Sequence, residues 1–304
     1  MTVATRPRVG FAGVGWIGRN RLEAVEPLIE VAGICDPALD GTITDYAELL
    51  EQDLDAVVIA TPSALHAEQA VRALERGLAV FCQKPLGRTE QETRRVVEAA
   101  RAADRLLAVD LSYRCTQAMQ AIREVVRAGV LGDVFAAELV FHNAYGPDKS
   151  WFYEAELSGG GCVIDLGIHL VDLALWTLDL DGFEGVDAHV VGAPVEHYAT
   201  AQLDHVRMAC SWNLHAGRDC VLEAHFHGTE GGAALRNVDG SFYDFRAELY
   251  RGRDVHVLTE PPDDWGGGAI RDWAAKLAAG AGFDSDAERL VEVARTIDRI
   301  YGRA

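Results

Sequence analysis

The sequence predicts an α/β fold: a doubly wound parallel sheet in the first third of the chain, and a second, strand-rich α/β domain behind it. Three observations predict it. From Arg8 to Leu111, short apolar runs of strand length alternate with segments of helical spacing. A glycine pattern, Gly13-Val14-Gly15-Trp16-Ile17-Gly18, sits where the first such run passes into the first helix. Beyond Ala128, stretches with period-two alternation surround one long apolar helix.

The elements follow in order. Arg8–Val14 reads as a buried strand that runs into the glycines. The glycines make a tight turn, admit a pyrophosphate to the backbone and let helix and strand pack closely, while the helix N-terminus offers N–H groups to phosphate. A helix follows to about Leu28, and Ile29–Cys35 is the second strand. It ends at Asp36, an acid placed to accept hydrogen bonds from ribose hydroxyls and to repel a 2′-phosphate, which favours NAD over NADP. Asp45–Gln52 reads as a short helix and residues 55–62 as the third strand with its exit at Thr61-Pro62. Residues 64–76 are helical, Leu78–Cys82 is the fourth strand, and it leaves through Gln83-Lys84-Pro85. A helix over Glu90–Ala103 and a strand over Leu106–Leu111 complete the set. Ligands of such sheets bind beyond the carboxyl ends of the strands. Gly13–Gly18, Asp36, Thr61, Pro62 and Lys84 all fall there.

In the second half, Gln117–Ala128 reads as an amphipathic helix closed by Gly129. Phe135, Ala137, Leu139 and Phe141 form the packed face of one strand. Val206, Met208, Cys210, Trp212 and Leu214 do so for another, and Leu222, Ala224 and Phe226 for a third. The polar face is open to three uses: solvent, a subunit contact or a substrate wall. The aromatic segment around Trp151 serves either as a lid or as packing at the domain junction. Two helical stretches, 269–279 and 286–301, close the chain, the last of them packing back onto the body.

The most informative stretch is Ser158–Trp176. After Gly159-Gly160-Gly161 comes an apolar run interrupted by three ionisable residues only: Asp165, His169 and Asp172. At i, i+4 and i+7 of a regular helix they occupy a stripe roughly 60° wide. A helix that is apolar nearly all round is buried, and buried charges must be paired or face a cavity. The stripe is therefore the candidate site.

The composition sets the frame. A chain of 304 residues accommodates two domains, drawn here at 1–114 and 115–304. A net charge of −19 argues against a nucleic-acid surface and against anionic membranes. No apolar run is expected to approach the roughly 18 residues of a membrane helix. The start, Met1–Pro7, has no signal-peptide core, so a cytoplasmic location is expected. The six cysteines show no Cys-x-x-Cys spacing and read as reduced, buried thiols. His225-x-His227 lacks further ligands, and no metal is expected.

Together, Gly13–Gly18, Thr61-Pro62 with His66, Gln83-Lys84-Pro85, and Gly159–Gly161 with Asp165, Gly167, His169 and Asp172 resemble the Gfo/Idh/MocA family of nicotinamide-dependent sugar and polyol oxidoreductases. The likeness covers nearly the whole chain. It implies a Rossmann domain followed by an α/β domain with a large, open-faced, mainly antiparallel sheet, often used for dimer contacts. A homodimer or homotetramer through that sheet is thus expected. By the same resemblance Lys84, Asp165 and His169 are catalytic and the Lys84–Pro85 bond is cis. The NAD cofactor meets Gly13, Gly15, Trp16, Ile17, Gly18, Asp36, Thr61, Pro62, His66, Gln83 and Lys84. A sugar or polyol meets Lys84, Arg114, Trp151, Asp165 and His169. Two departures stand out: Gln83 replaces the family's usual Glu, and residues 37–44 are short and lack a helix.

The implied reaction is hydride transfer between nicotinamide and a secondary alcohol or ketone. His169 exchanges the hydroxyl proton, and Lys84 stabilises charge on the same oxygen. The fold also serves non-catalytic NAD-binding sensors and NAD-dependent redox glycoside hydrolases or lyases. Retention of all three catalytic types favours the oxidoreductase.

Overall fold

The computed structural model describes residues 6–303. Two compact units emerge, divided between Leu111 and Ser112, and Gly266–Val291 returns to the first of them. This return differs from the simple division at residue 114.

The first unit is built on a five-stranded parallel sheet. Its elements are β1 (Arg8–Ala12), α1 (Trp16–Val25), β2 (Glu30–Cys35), α2 (Tyr46–Leu49), β3 (Ala56–Ile59), α3 (Ser63–Glu75), β4 (Ala79–Cys82), α4 (Glu90–Ala103) and β5 (Leu107–Val109). The strand order is β2-β1-β3-β4-β5. Both faces are covered, which is why these strands are apolar at nearly every position. On one face Val57, Ile59, Val80 and Cys82 pack with Ala70 and Leu74 of α3 and Val96 and Ala100 of α4. On the other, Val58 and Phe81 pack with Val25 of α1 and with Ile270 and Trp273 of the returning segment. After β2 the chain makes a tight turn instead of a helix: Asp36 N–H bonds Ile43 O at 3.0 Å and Thr42 Oγ1 donates to Asp36 O at 2.7 Å.

The second unit carries α5 (Gln117–Arg127), β6 (Val134–Asn143), α6 (Ala155–Ser158), α7 (Ile168–Leu178), β7 (Val186–Val191), β8 (Tyr198–Leu203), β9 (Val206–Ser211), β10 (Cys220–Gly228), β11 (Gly232–Asn237), β12 (Phe245–Arg251) and β13 (Asp254–Thr259). Two helices complete the chain: α8 (Gly268–Ala278) lies in the first unit, and α9 (Arg289–Ile300) begins in the first and continues in the second. The eight strands form one sheet in the order β13-β12-β11-β10-β6-β9-β8-β7. All neighbours are antiparallel except β6 and β9. One side buries Leu139, Phe141, Met208, Phe226 and Leu235 together with Met119 and Ile122 of α5 and Leu173 of α7. The other side is half-exposed and crossed by ion pairs such as Arg207–Glu138 at 2.7 Å and Arg236–Glu223 at 3.5 Å.

Phe135 breaks the alternation and is 61% exposed. Val134 and Ala136 face the consecutive residues Gly228 and His227, so Phe135 is the extra residue of a β-bulge and leaves the packed face. The apolar stretch Ala155–Leu178 is also longer than expected. By length and composition it could cross a membrane, yet its most apolar window is 89% buried inside the protein, as a core helix requires.

Candidate active site

In the first unit, the glycine turn follows β1 and opens α1. A Cβ on Gly18 would collide with Gly13 O, so no larger residue fits between turn and helix. Gly15 caps α1 without a side chain, and the first turn carries no acidic residue. Its N–H end is thus left to an anion. Trp16, at the first helical position, is 63% exposed and Ile17 is half-buried. Asp36, directly after β2, accepts from Val14 N–H at 2.9 Å and from Ala38 N–H at 3.0 Å. Each carboxylate oxygen keeps a further lone pair for a ribose hydroxyl. Glycine turn, uncapped helix end and acid together fit a dinucleotide.

Thr61 and Pro62 lead from β3 into α3, where Pro62 is the capping residue. Thr61 Oγ1 donates to Gln69 Oε1 at 2.6 Å. His66, expected at the cofactor, is buried on α3, with Nδ1 2.7 Å from Pro85 O and Nε2 2.7 Å from Thr61 O. Each ring nitrogen faces a backbone carbonyl, and the single N–H of the neutral ring donates to one of them, which places His66 between the exits of β3 and β4. Burial pushes its pKa below 6.5, with the two carbonyls pulling the other way. Lys84 is half-buried and joined to Pro85 by a cis peptide bond.

Gln83 lies beside a residue that sequence reasoning did not single out. The strand ends Cys82 and Val109 are paired, so the next residues, Gln83 and Asp110, are neighbours. Gln83 Nε2 donates to Asp110 Oδ2 at 2.5 Å, and Arg21 Nε of α1 donates to the same oxygen at 2.5 Å. All three are buried. The sequence signal was an acid directly after an apolar strand, the same position that drew attention to Asp36.

In the second unit, Asp165 does not lie on a regular helix. Residues Val163–Gly167 form a π-helical turn that leads into α7, and Ile168 N–H reaches back to Val163 O. Such turns widen the spacing, so the i, i+4, i+7 stripe is an approximation at Asp165. Trp212, just past β9, donates its indole N–H to Asp165 Oδ2 at 3.0 Å. Its place on a packed strand face, where a buried indole needs an acceptor, was the available signal. His169 is 6% exposed and lies edge-on to Tyr113, ring centres 4.9 Å apart at 85°. Burial holds the Tyr113 phenol far above its usual range, so it stays protonated.

Arg114, expected at the substrate, is paired with Asp172. Its Nε donates to Asp172 Oδ2 at 2.6 Å and a second nitrogen donates to Oδ1, a bidentate pair. Asp172 is buried, which raises its pKa against the lowering effect of Arg114. Trp151 stacks on Phe152 with centres 3.8 Å apart. Phe152 and the neighbouring Tyr153 meet Trp212 at 6.4 and 5.7 Å, so the aromatic segment packs against the side chain that holds Asp165.

The three glycines before this turn are shaped by Glu196, which also escaped sequence reasoning. Its carboxylate accepts from Gly161 N–H at 2.9 Å, Val163 N–H at 2.8 Å and the Tyr301 hydroxyl at 2.8 Å. A Cβ on Gly161 would collide with Glu196 O.

Comparison with known proteins agrees with the two-sheet fold. A family model described as the oxidoreductase family with an NAD-binding Rossmann fold matches residues 7–111. The C-terminal domain model of the same family matches residues 119–234. D-glucoside 3-dehydrogenase of Escherichia coli (strain K12) is 32% identical over 175 residues, 53% of this chain and 50% of the relative. The 1,5-anhydro-D-fructose reductase of Ensifer adhaerens is 32% identical over 206 residues, 65% of this chain and 62% of the relative. The chain thus matches half to just under two thirds of the length of these curated relatives. A levoglucosan dehydrogenase, solved in complex with NADH and levoglucosan, superimposes with a TM-score of 0.81 at 19% identity, over 98% of this chain and 97% of that one. At that identity the likeness carries the fold. Two models of one family cover most of both units, on the two-sheet plan described above: the chain belongs to the Gfo/Idh/MocA family.

Proposed function

We propose that the protein is an NAD-dependent oxidoreductase acting on a secondary alcohol or ketone of a sugar, cyclitol or related polyol. The observation that carries this reading is the anchored acid beside a buried histidine: Asp165 held by Trp212 on a π-helical turn, with His169 fixed edge-on to Tyr113. An acid and a base held by their surroundings suit proton transfer at a substrate oxygen. The nicotinamide, when bound, supplies or accepts the hydride.

The chain's own residues do the rest. His169 takes the hydroxyl proton in oxidation and returns it in reduction. Lys84 donates a hydrogen bond to the substrate oxygen and stabilises its developing negative charge. Asp165 orients the substrate or the imidazole. The acid at Asp36 supports NAD over NADP, since a 2′-phosphate would meet a carboxylate already holding the glycine turn. The sugar class is supported by the curated relatives, whose names specify a glucoside and an anhydrofructose. We further propose that copies associate through the half-exposed face of the eight-stranded sheet, which light scattering on the purified protein tests.

The deciding experiment is a nicotinamide absorbance assay in both directions, with NAD(H) and NADP(H), on a panel of polyols, ketoses, amino sugars and sugar phosphates. Turnover with NAD(H) that is lost in His169→Ala, while NADH still binds, is the expected result. Turnover that survives His169→Ala unchanged overturns the assignment of the base.

A further inference from the structure

We infer that Asp110, held by Arg21, is a positioning residue for the nicotinamide half of the cofactor, and that it acts by fixing the amide of Gln83. The inference deepens the dinucleotide reading and rests on it. The argument starts from what each group can do in a hydrogen bond. A carboxylate paired with a guanidinium only accepts. Asp110 is so paired: the buried Arg21 donates its Nε to Oδ2 at 2.5 Å. Gln83 can therefore offer Asp110 only its amide N–H, and does so at 2.5 Å. With the nitrogen turned inward, the amide carbonyl of Gln83 faces the other way, beyond the carboxyl end of β4. Position 83 then presents an acceptor, as a glutamate would, without its charge.

The same geometry explains why this chain carries Gln rather than Glu. A glutamate at position 83 would set two carboxylates against each other on a single Arg21. The acidic group stands one strand over, on Asp110, and position 83 keeps the acceptor. Asp110 is also half-satisfied: Oδ2 takes two donors, while Oδ1 is buried with no hydrogen-bond partner. A bare buried carboxylate oxygen costs stability. A purely structural pairing with Arg21 would be better served by both oxygens, whereas orienting Gln83 requires this one.

The acceptor at Gln83 lies at the end of β4, on the opposite side of β1 and β3 from Asp36 at the end of β2. A dinucleotide whose adenosine ribose is at Asp36 and whose phosphates lie at Gly13–Gly18 extends its second nucleoside toward β4. The group that meets Gln83 Oε1 is a hydroxyl of the nicotinamide ribose.

The test compares wild type, Gln83→Glu, Asp110→Asn and the double variant that carries both substitutions. The readouts are the dissociation constants of NADH and of ADP, which lacks the nicotinamide nucleoside. Each single variant should weaken NADH about fivefold to tenfold, the worth of one hydrogen bond, and leave ADP within about twofold. In the double variant the amide and the carboxylate have exchanged places: the new amide just past β5 donates to the new carboxylate just past β4, and the net charge is restored. NADH affinity should then recover to within about threefold of wild type. Should Asp110→Asn fail to fold with Arg21 stranded, Gln83→Glu and the double variant carry the comparison. Single variants that lower thermal stability but leave the ratio of NADH to ADP affinity unchanged would overturn the inference and make the cluster structural. A wild type that binds neither NADH nor ADP overturns the dinucleotide reading itself, and this inference with it.

Discussion

Trp212 and Asp165 are joined by an indole-to-carboxylate hydrogen bond of 3.0 Å that links the end of β9 to the π-helical turn. Because the indole can only donate, it holds Asp165 in one orientation as an acceptor. Trp212→Phe keeps the packing and removes the donor. Turnover should fall about tenfold, the equivalent of one charge-assisted hydrogen bond, with the NADH dissociation constant unchanged. Steady-state rates alongside direct binding measure the split. Equal turnover in the variant would free Asp165 from this dependence.

Glu196 gathers donors from Gly161, Val163 and Tyr301, all buried or partly so. Glu196→Ala strands these donors and should cost about 3 kcal/mol, seen as a lower midpoint in thermal or urea unfolding. Tyr301→Phe, which removes one donor only, should cost about 1 kcal/mol. A Glu196→Ala protein as stable as wild type would contradict this account of the triple-glycine turn.

His66 gives the first unit an acid-sensitive element. Its folded pKa is pushed below 6.5 by burial. The unfolded chain therefore takes up a proton that the folded chain refuses. The stabilisation is present above pH 6.5 and is lost as pH falls, at up to about 1.4 kcal/mol per pH unit. His66→Gln has no imidazole to take up that proton. The stability gap between wild type and this variant should narrow between about pH 7.5 and about pH 5.5. A gap that stays constant over that range would show that folding does not shift the His66 pKa.

No disulfide joins the six cysteines; five are buried and Cys115 is partly exposed. Burial, with Asp110 adding to it, pushes the Cys82 thiol up, and the hydrogen bond with Cys210 followed by burial does the same for Cys162. A thiol reagent should modify at most one cysteine in the native protein and all six after unfolding under non-reducing conditions. More than one native equivalent would mean that the core opens readily.

Much of this architecture is written in local pattern. The parallel sheet was legible because strands buried on both faces are apolar throughout, as in Ala56–Ile59 and Ala79–Cys82. Helix α4 was legible to the residue because Thr89 caps it and Glu90 and Glu92 fill its first turn. Strands β7, β8, β11, β12 and β13 were not read; of these, β7 and β13 lie at the sheet margins, where most residues are exposed. In the site, Asp165 and His169 were conspicuous as ionisable residues in an apolar run. Glu196, Trp212 and Asp110 were not, because what distinguishes them is a partner 35, 47 or 27 residues away. Arg114 illustrates the converse: its type suggested an anion, and its partner proved to be Asp172.

The return of Gly266–Val291 to the first unit has a consequence for biosynthesis. Trp273 packs against Phe81 with ring centres 5.6 Å apart and is 1% exposed. A ribosome delivers Phe81 and its strand long before it delivers Trp273. Until then one face of the nascent parallel sheet, Val58 and Phe81 included, has no cover from α8. The first unit to be translated is therefore among the last to be finished, and the intervening time is when a chaperone would find its apolar surface.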